Sequence, residues 1–291
     1  MGNAIRKTIT KAMPMLDALA ALVPSASRTT LRQMLQNGRV RVNGEIEKNA
    51  KRELAPHDLV EITEKSLAAA LPPGLAILHE DRDVIVVLKA NGLLTVPTER
   101  ERETTAQAYL NAYLGDRKGE ERIQVVHRLD RETSGVLVFA KNAYAREQLK
   151  EQFAAHSVDR MYVAIVEGAM DPEEGTFRSW LRERKDLKMV SGPEHPEAKY
   201  AVTHYRTVRM SDRYSMLEVT LETGRKNQIR AHLSEAGHPI VGDRMYGSEV
   251  NPIDRLGLHA KLLGFRHPVT GKHLVFTAPT PPSFRKLFGK E

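Results

Sequence analysis

The sequence predicts an α+β protein in two parts, a small α/β module followed by a larger domain on a mostly antiparallel sheet. Three observations carry this. The chain has 291 residues, enough for about two domains at roughly 150 residues each. Apolar residues recur at helical spacing near the N-terminus but gather into strand-like runs from Ile77 onward. Irregular helices separate those runs, which argues against regular βαβ winding. Between the two textures stands KSLAAALPPGL, residues 65–75, where Pro72-Pro73-Gly74 breaks any helix begun by the alanines. The expected division is a module at 13–64, a linker at 65–75 and a domain at 76–291.

Pro14 precedes a helix whose Leu16, Leu19, Ala20, Leu22 and Val23 share one face, and Pro24 ends it. Ser25 or Ser27 caps a second helix carrying Leu31, Met34 and Leu35. Gly38 then stops that helix, since glycine enters the left-handed region cheaply. Arg39-Val40-Arg41-Val42 alternates as a strand, Asn43-Gly44 is a strong hairpin-turn signal, and Leu59-Val60-Glu61-Ile62 reads as the returning strand. In the larger part, strands are expected at 76–78 and 84–88 about a turn at Asp81-Arg82-Asp83. Further strands are expected at 135–140, 161–167, 198–208, 214–221 and 273–277, with a helix over 143–155. No internal repeat or low-complexity tract is found.

Composition removes several classes. The absence of cysteine excludes disulfides, thiol nucleophiles, iron–sulfur clusters and cysteine-rich zinc sites. MGNAIRKTITKAMPMLDALAALV lacks a signal peptide's unbroken apolar run and cleavage site. No stretch approaches the roughly 18 apolar residues of a membrane span, so a soluble, cytoplasmic protein without membrane contacts is expected. Neither glycine-rich nucleotide-binding motif occurs, nor His-Glu-x-x-His, nor Gly-x-Ser-x-Gly. No histidine pair stands at metal-ligand spacing beside a carboxylate. The expectation is therefore no cofactor, no metal and no nucleotide.

The net charge of +7 is unevenly placed, with +4 in residues 1–66. Arg28, Arg32, Arg39, Arg41, Lys48, Lys51 and Arg52 face only Glu45 and Glu47, a local balance of +5. Such a patch on a small module attracts phosphates and releases counterions on binding; a solvated charged face gives the same composition.

The most informative stretch is Val125-Val126-His127-Arg128-Leu129-Asp130-Arg131-Glu132-Thr133-Ser134-Gly135, followed by Val136-Leu137-Val138-Phe139-Ala140-Lys141-Asn142. A polar block between two apolar runs predicts a loop at the end of a sheet, where rigid scaffolds hold reactive groups. Arg128 and Arg131 flank Asp130 and favour its ionised form. By residue type alone, an Asp before Thr-Ser-Gly also reads as a turn or helix-cap residue. Tyr162, in an apolar strand, reads equally as core, and Arg225 and Arg230 read equally as surface phosphate contacts or helix charges. His127 and His232 read as structural hydrogen-bonders.

Two resemblances sharpen this reading. SASRTTLRQMLQNGRVRVNGEI resembles the small RNA-binding domain named after small-subunit ribosomal protein four, over residues 13–64. That makes structured RNA, contacted by Arg28, Arg32, Arg39 and Arg41, the expected partner of the basic patch. HRLDRETSGVLVFAKN resembles the signature of the RluA-type pseudouridine synthases, which isomerise uridine in ribosomal or transfer RNA. The likeness extends over 76–291 through Arg160-Met161-Tyr162-Val163-Ala164, Leu221-Glu222-Thr223-Gly224-Arg225-Lys226-Asn227-Gln228-Ile229-Arg230, His238-Pro239-Ile240-Val241-Gly242-Asp243-Arg244-Met245-Tyr246-Gly247 and Leu258-His259-Ala260. It implies the pseudouridine synthase fold with Asp130 as essential catalytic residue, Arg230 as its partner and Tyr162 stacking on the target base. It further implies that Arg128 displaces the target nucleotide, and places Arg225 and Gln228 among the RNA contacts. Two departures leave the subfamily open: Lys226-Asn227-Gln228 replaces a common Thr-His-Gln, and Ala90 follows Lys89 where proline is common. A monomer is expected. The rival readings are an inactive RNA-binding or ribosome-assembly protein on the same scaffold, and a nucleosidase that would release free base.

Overall fold

The structure, a computed structural model, describes residues 5–24, 26–36, 38–62, 71–115 and 122–289. They fall into two compact units, Met1–Pro72 with Gln107–Ile123, and Pro73–Ala106 with Gln124–Glu291. The expected linker lies outside the described residues over 65–70, and Leu75 already belongs to a strand.

In the first unit the order is β1 (Ile5–Thr8), β2 (Met13–Pro14), α1 (Met15–Leu22), α2 (Arg28–Gln36), β3 (Val40–Val42), β4 (Glu45–Ile46), β5 (Glu53–Leu54) and β6 (Leu59–Ile62). The sheet runs β1-β6-β3-β4, all antiparallel, and β2 pairs with β5. Ser27 caps α2 by accepting the Thr30 N–H at 3.2 Å; the alternative cap, Ser25, lies outside the described residues. Leu31, Met34 and Leu35 are buried as the periodicity predicts. On α1 the buried stripe is rotated from the expected face: Met15, Ala18 and Leu19 are sealed, while Leu16, Ala20, Leu22 and Val23 pack at the margin. Asn43 and Gly44 both take positive φ, 54° and 86°, the backbone that lets a two-residue turn match strand twist. β1 escapes a sequence reading because all four of its side chains are exposed, so no alternation marks it.

The second unit contains β7 (Leu75–Glu80), β8 (Val84–Lys89), β9 (Gln124–Val125), β10 (Ser134–Ala140), α4 (Ala143–Ala154), β11 (Asp159–Glu167), β12 (Glu174–Glu183), β13 (Met189–Gly192), β14 (Lys199–Met210), β15 (Tyr214–Leu221), α5 (Gln228–Glu235), β16 (Leu258–Arg266), β17 (His273–Thr277) and α6 (Pro282–Arg285); α3 (Ala106–Leu114) lies between β8 and β9 in sequence. The sheet order is β13-β12-β14-β15-β11-β16-β10-β8-β7, with β17 on β16 and β9 on β10. Among the described strand pairs only β10 and β16 run parallel, beside an isolated parallel bridge between Leu94 and Thr105. The molecule is thus the expected sheet-dominated α+β fold.

β10 is buried along its whole length, and α4 covers it with Ala145 and Leu149 against Val136, Val138, Leu263 and Phe265. α5 packs Ile229 and Leu233 against Leu217, Val219 and Tyr205. Where the polar loop meets β10, Gly135 takes φ +126°, and a Cβ there would fall 2.1 Å from the Ala260 carbonyl oxygen. Only glycine lets β16 approach this closely.

Candidate active site

The loop of residues 127–133 is fixed from several sides before any substrate arrives. Thr95 Oγ1 donates to the Leu129 carbonyl at 2.7 Å and accepts the Leu129 N–H at 3.2 Å. The Thr133 N–H closes a turn on the Asp130 carbonyl at 3.1 Å. The Gly92 N–H donates to the Arg131 carbonyl at 2.9 Å, and Arg131 Nε donates back to the Gly92 carbonyl at 3.1 Å. Beneath the loop, fully buried Lys89 donates to the carbonyls of Ala90, Leu93 and Arg131 at 2.9, 2.7 and 3.1 Å. Burial lowers the Lys89 pKa to about 7, with Glu132 and Asp130 working the other way. Three carbonyl acceptors match the three donors of the charged ammonium, which the neutral amine lacks.

His127 accepts the Val138 N–H on Nε2 at 3.2 Å and stacks on Phe153 with centroids 4.6 Å apart. Burial, then Arg160, pushes its pKa down to about 3. It is a neutral structural ring, as the sequence suggested. His232 bridges Ser179 and Thr203 at 2.9 Å each and is equally occupied.

A cavity of about 220 Å³ opens beside the loop, lined by Arg128, Asp130, Tyr162, Arg225, Gln228 and Arg230 among others. Six side chains singled out from sequence therefore converge on one space. Arg230 Nη1 lies 3.8 Å from Asp130 Oδ2. The remaining edge of that guanidinium is forked onto Asp243, with Nε and Nη2 donating at 2.6 and 2.7 Å, and its plane lies over the Tyr246 ring at 4.7 Å. The Asp243 side chain is 1% exposed. Burial opposes the Arg230 charge, but the hydrogen bonds and charge of Asp243 outweigh it and the pKa is raised. Asp243 and Tyr246 sit in a segment quoted for its family pattern but given no role from sequence; nothing local says that a carboxylate 13 positions on reaches back to Arg230.

Tyr162 lies on β11 at a register shift, opposite Val219 of β15 and Ala260 of β16. It is half-buried, and burial raises its phenol pKa, opposed by Arg160 and helped by Asp130. The ring is neutral and packs on the α5-covered cluster. Arg160 fastens β11 to the opposite wall by donating to the Leu221 and Glu222 carbonyls at 3.4 and 3.2 Å. Its Nη1 lies 2.6 Å from where a Cβ on Gly224 would stand, so the guanidinium packs directly against that turn. Arg128 is exposed at the mouth and has no ion pair among the described residues.

Gln228 differs from expectation. It is 2% exposed. Its Oε1 accepts from Thr223 Oγ1 and the Arg225 N–H at 2.7 and 3.0 Å, and its Nε2 donates to the Val202 carbonyl and Thr203 Oγ1, both at 2.9 Å. With donors and acceptor all committed, it shapes the 223–228 turn and has nothing left for RNA. Arg225 spends its Nε on the Tyr200 carbonyl at 3.0 Å.

Arg28, Arg32, Arg39 and Arg41 belong to the other unit. Arg28 pairs with Asp17 at 3.1 Å, Arg32 is exposed, and Arg39, just before β3, and Arg41, within it, are half-buried.

Among the described residues, Asp81, Asp83 and His267 form a group with potential metal-ligand spacing. Its donor set does not suit a cation. His267 Nδ1 accepts N–H bonds from Val269 and Thr270 at 3.2 and 3.1 Å, so Nε2 carries the proton and donates to Asp81 at 3.1 Å.

Known proteins resemble this chain along most of its length. Residues 83–235 match the model of the RNA pseudouridylate synthase family, and residues 16–60 that of the S4 domain. The chain is 36% identical over 279 residues to a Bacillus subtilis protein described as an uncharacterized RNA pseudouridine synthase, YlyB, covering 92% of this chain and 91% of that one. It is 32% identical over 289 residues to ribosomal large subunit pseudouridine synthase D of Haemophilus ducreyi, covering 93% and 88%. Human RNA pseudouridylate synthase domain containing 4 superposes with a TM-score of 0.61 at 28% identity, over 75% of this chain and 93% of that structure.

Proposed function

The chain belongs to the RNA pseudouridylate synthase family, and from that premise we propose that it isomerises specific uridines of ribosomal RNA with Asp130 as the essential carboxylate. Several relatives are named for the large ribosomal subunit, which favours that RNA over transfer RNA. The reaction breaks the bond from ribose C1′ to uracil N1, turns the base and joins C1′ to C5, leaving mass unchanged. Residues 13–64 anchor the RNA and residues 76–291 perform the chemistry, in a monomer working in the cytoplasm. No helix among the described residues is long and apolar enough to cross a membrane.

The observation that carries the reading is the meeting of Asp130 and Arg230 in the cavity against which Tyr162 packs. A carboxylate beside the sugar attacks a carbon or takes a proton, and the guanidinium at 3.8 Å orients it without locking it in a close bidentate pair. A uridine inside a helix hides its glycosidic bond, so it must be everted, at a cost of a few kcal/mol. Stacking on Tyr162 returns about 1–3 kcal/mol, and Arg128 at the mouth fills the space left behind. Arg28, Arg32, Arg39, Arg41 and Arg225 hold phosphates, which position the RNA without reading its sequence.

The test is Asp130→Asn in the full-length protein on ribosomal RNA transcripts. Pseudouridine formation should fall by at least about 10²-fold with RNA affinity within about twofold of wild type. Full activity in the variant would refute the assignment.

A further inference from the structure

The sheet carries an aromatic pair that the isomerisation does not use. On β12, Phe177 stacks on Tyr205 at 4.9 Å, Ser179 bonds His232, and Leu181 packs with Ala231 and Tyr246, all on the side of α5. Strand alternation sends Arg178, Trp180 and Arg182 to the reverse face. There Trp180, the sole tryptophan of the chain, stands opposite Tyr200 on β14 and Gly192 on β13. The two rings are 5.4 Å apart and tilted by 58°. A Cβ on Gly192 would meet nothing within 4 Å, so the space on that side of the indole is open. Tyr200 is 40% exposed. Arg178 and Arg182 are exposed and have no ion pair or hydrogen bond among the described residues.

This face meets the rim of the catalytic cavity at the 223–228 turn. Arg225 lines the cavity and donates to the Tyr200 carbonyl. From Tyr200 a groove of about 520 Å³ runs past Val202, Thr220 and Met161. The acids bordering it, Glu222 and Asp159, lie 2.7 and 3.2 Å from His204 and His273.

We propose that this face is a second RNA subsite, where Trp180 and Tyr200 stack an unpaired nucleotide flanking the target and Arg178 and Arg182 hold neighbouring phosphates. The inference rests on the reading of the chain as an enzyme acting on RNA. Aromatic rings on a sheet flanked by free guanidinium groups suit bases and phosphates together. An apolar protein partner would leave Arg178 and Arg182 uncompensated.

Because Trp180 is the only indole, its fluorescence reports the site directly. Titrating full-length protein with a 12-nucleotide oligouridylate should quench the emission saturably. Trp180→Ala should raise the KM for ribosomal RNA about 10-fold with kcat within twofold. The exposed double variant Arg178→Ala/Arg182→Ala, which threatens no core, should reduce the slope of log affinity against log salt by about 1.4. Unchanged emission at saturating RNA, together with wild-type KM in both variants, would overturn the subsite. Emission that follows protein concentration without RNA would overturn it in favour of contact between copies. Pseudouridine formed without quenching leaves the enzyme reading intact and removes the subsite; quenching without pseudouridine does the reverse.

Discussion

Arg230 meets Asp130 in the cavity while the buried Asp243 holds the rest of its guanidinium. With Nε and Nη2 committed to Asp243 and its face against Tyr246, only Nη1 is turned to Asp130. A fork directed at Asp130 would bind the carboxylate bidentately and blunt it as nucleophile or base. Asp243→Asn removes the charge that holds this orientation. Breaking a buried ion pair costs about 3–5 kcal/mol, so urea unfolding should show a loss near that size and kcat should fall with KM little changed. Wild-type stability and kcat in this variant would remove Asp243 from the account. That Asp130, Tyr162 and Arg230 share one cavity was legible because each sits in a long local motif. Asp243 was not, since its role exists only after α5 and the 243–246 turn fold together. Gln228 was misjudged for the related reason that a polar side chain in a motif looks the same whether it faces solvent or the inside of its own turn.

At the scale of elements, three neutral histidines stitch strands and helices around the site. His127 joins the loop to β10, His232 joins α5 to β12 and β14, and His259 on β16 meets Ser134 of β10 at 2.7 Å. Burial is the first cause of depression in each, and their pKa values fall to about 3, 4 and 4. The unfolded chain takes up these protons near pH 6.5, the folded chain only around 4 or below. Their stabilisation is therefore complete above pH 6.5 and is lost as pH falls toward 4, with a slope of up to about 1.4 kcal/mol per pH unit for each ring. Urea unfolding across that window checks it; a flat profile would show that the rings are not buried neutral. The strands these rings join were unevenly legible. β10 and β15 announced themselves as apolar runs, whereas β12 carries GTFRSWLRE with only Leu181 buried and gives no clear alternation. β16 was hidden by its glycine and charges, Lys261, Gly264 and Arg266, although its backbone approach to Gly135 shapes the floor of the loop.

For the molecule as a whole, the proposed reading assigns RNA anchoring to one unit and chemistry to the other. The basic excess read from residues 28–52 is tempered by pairs such as Arg52 with Glu47 at 2.6 Å and Arg28 with Asp17, while Arg32, Lys48 and Lys51 remain exposed. On the proposed reading the module makes phosphate contacts, which position RNA without reading a particular base. The proposed activity is pseudouridine formation in ribosomal RNA. Mapping pseudouridine in ribosomal RNA from cells with and without the gene tests it most directly. One or a few large-subunit positions should revert to uridine when the gene is removed and return when it is restored; an identical map in both cells would contradict the account.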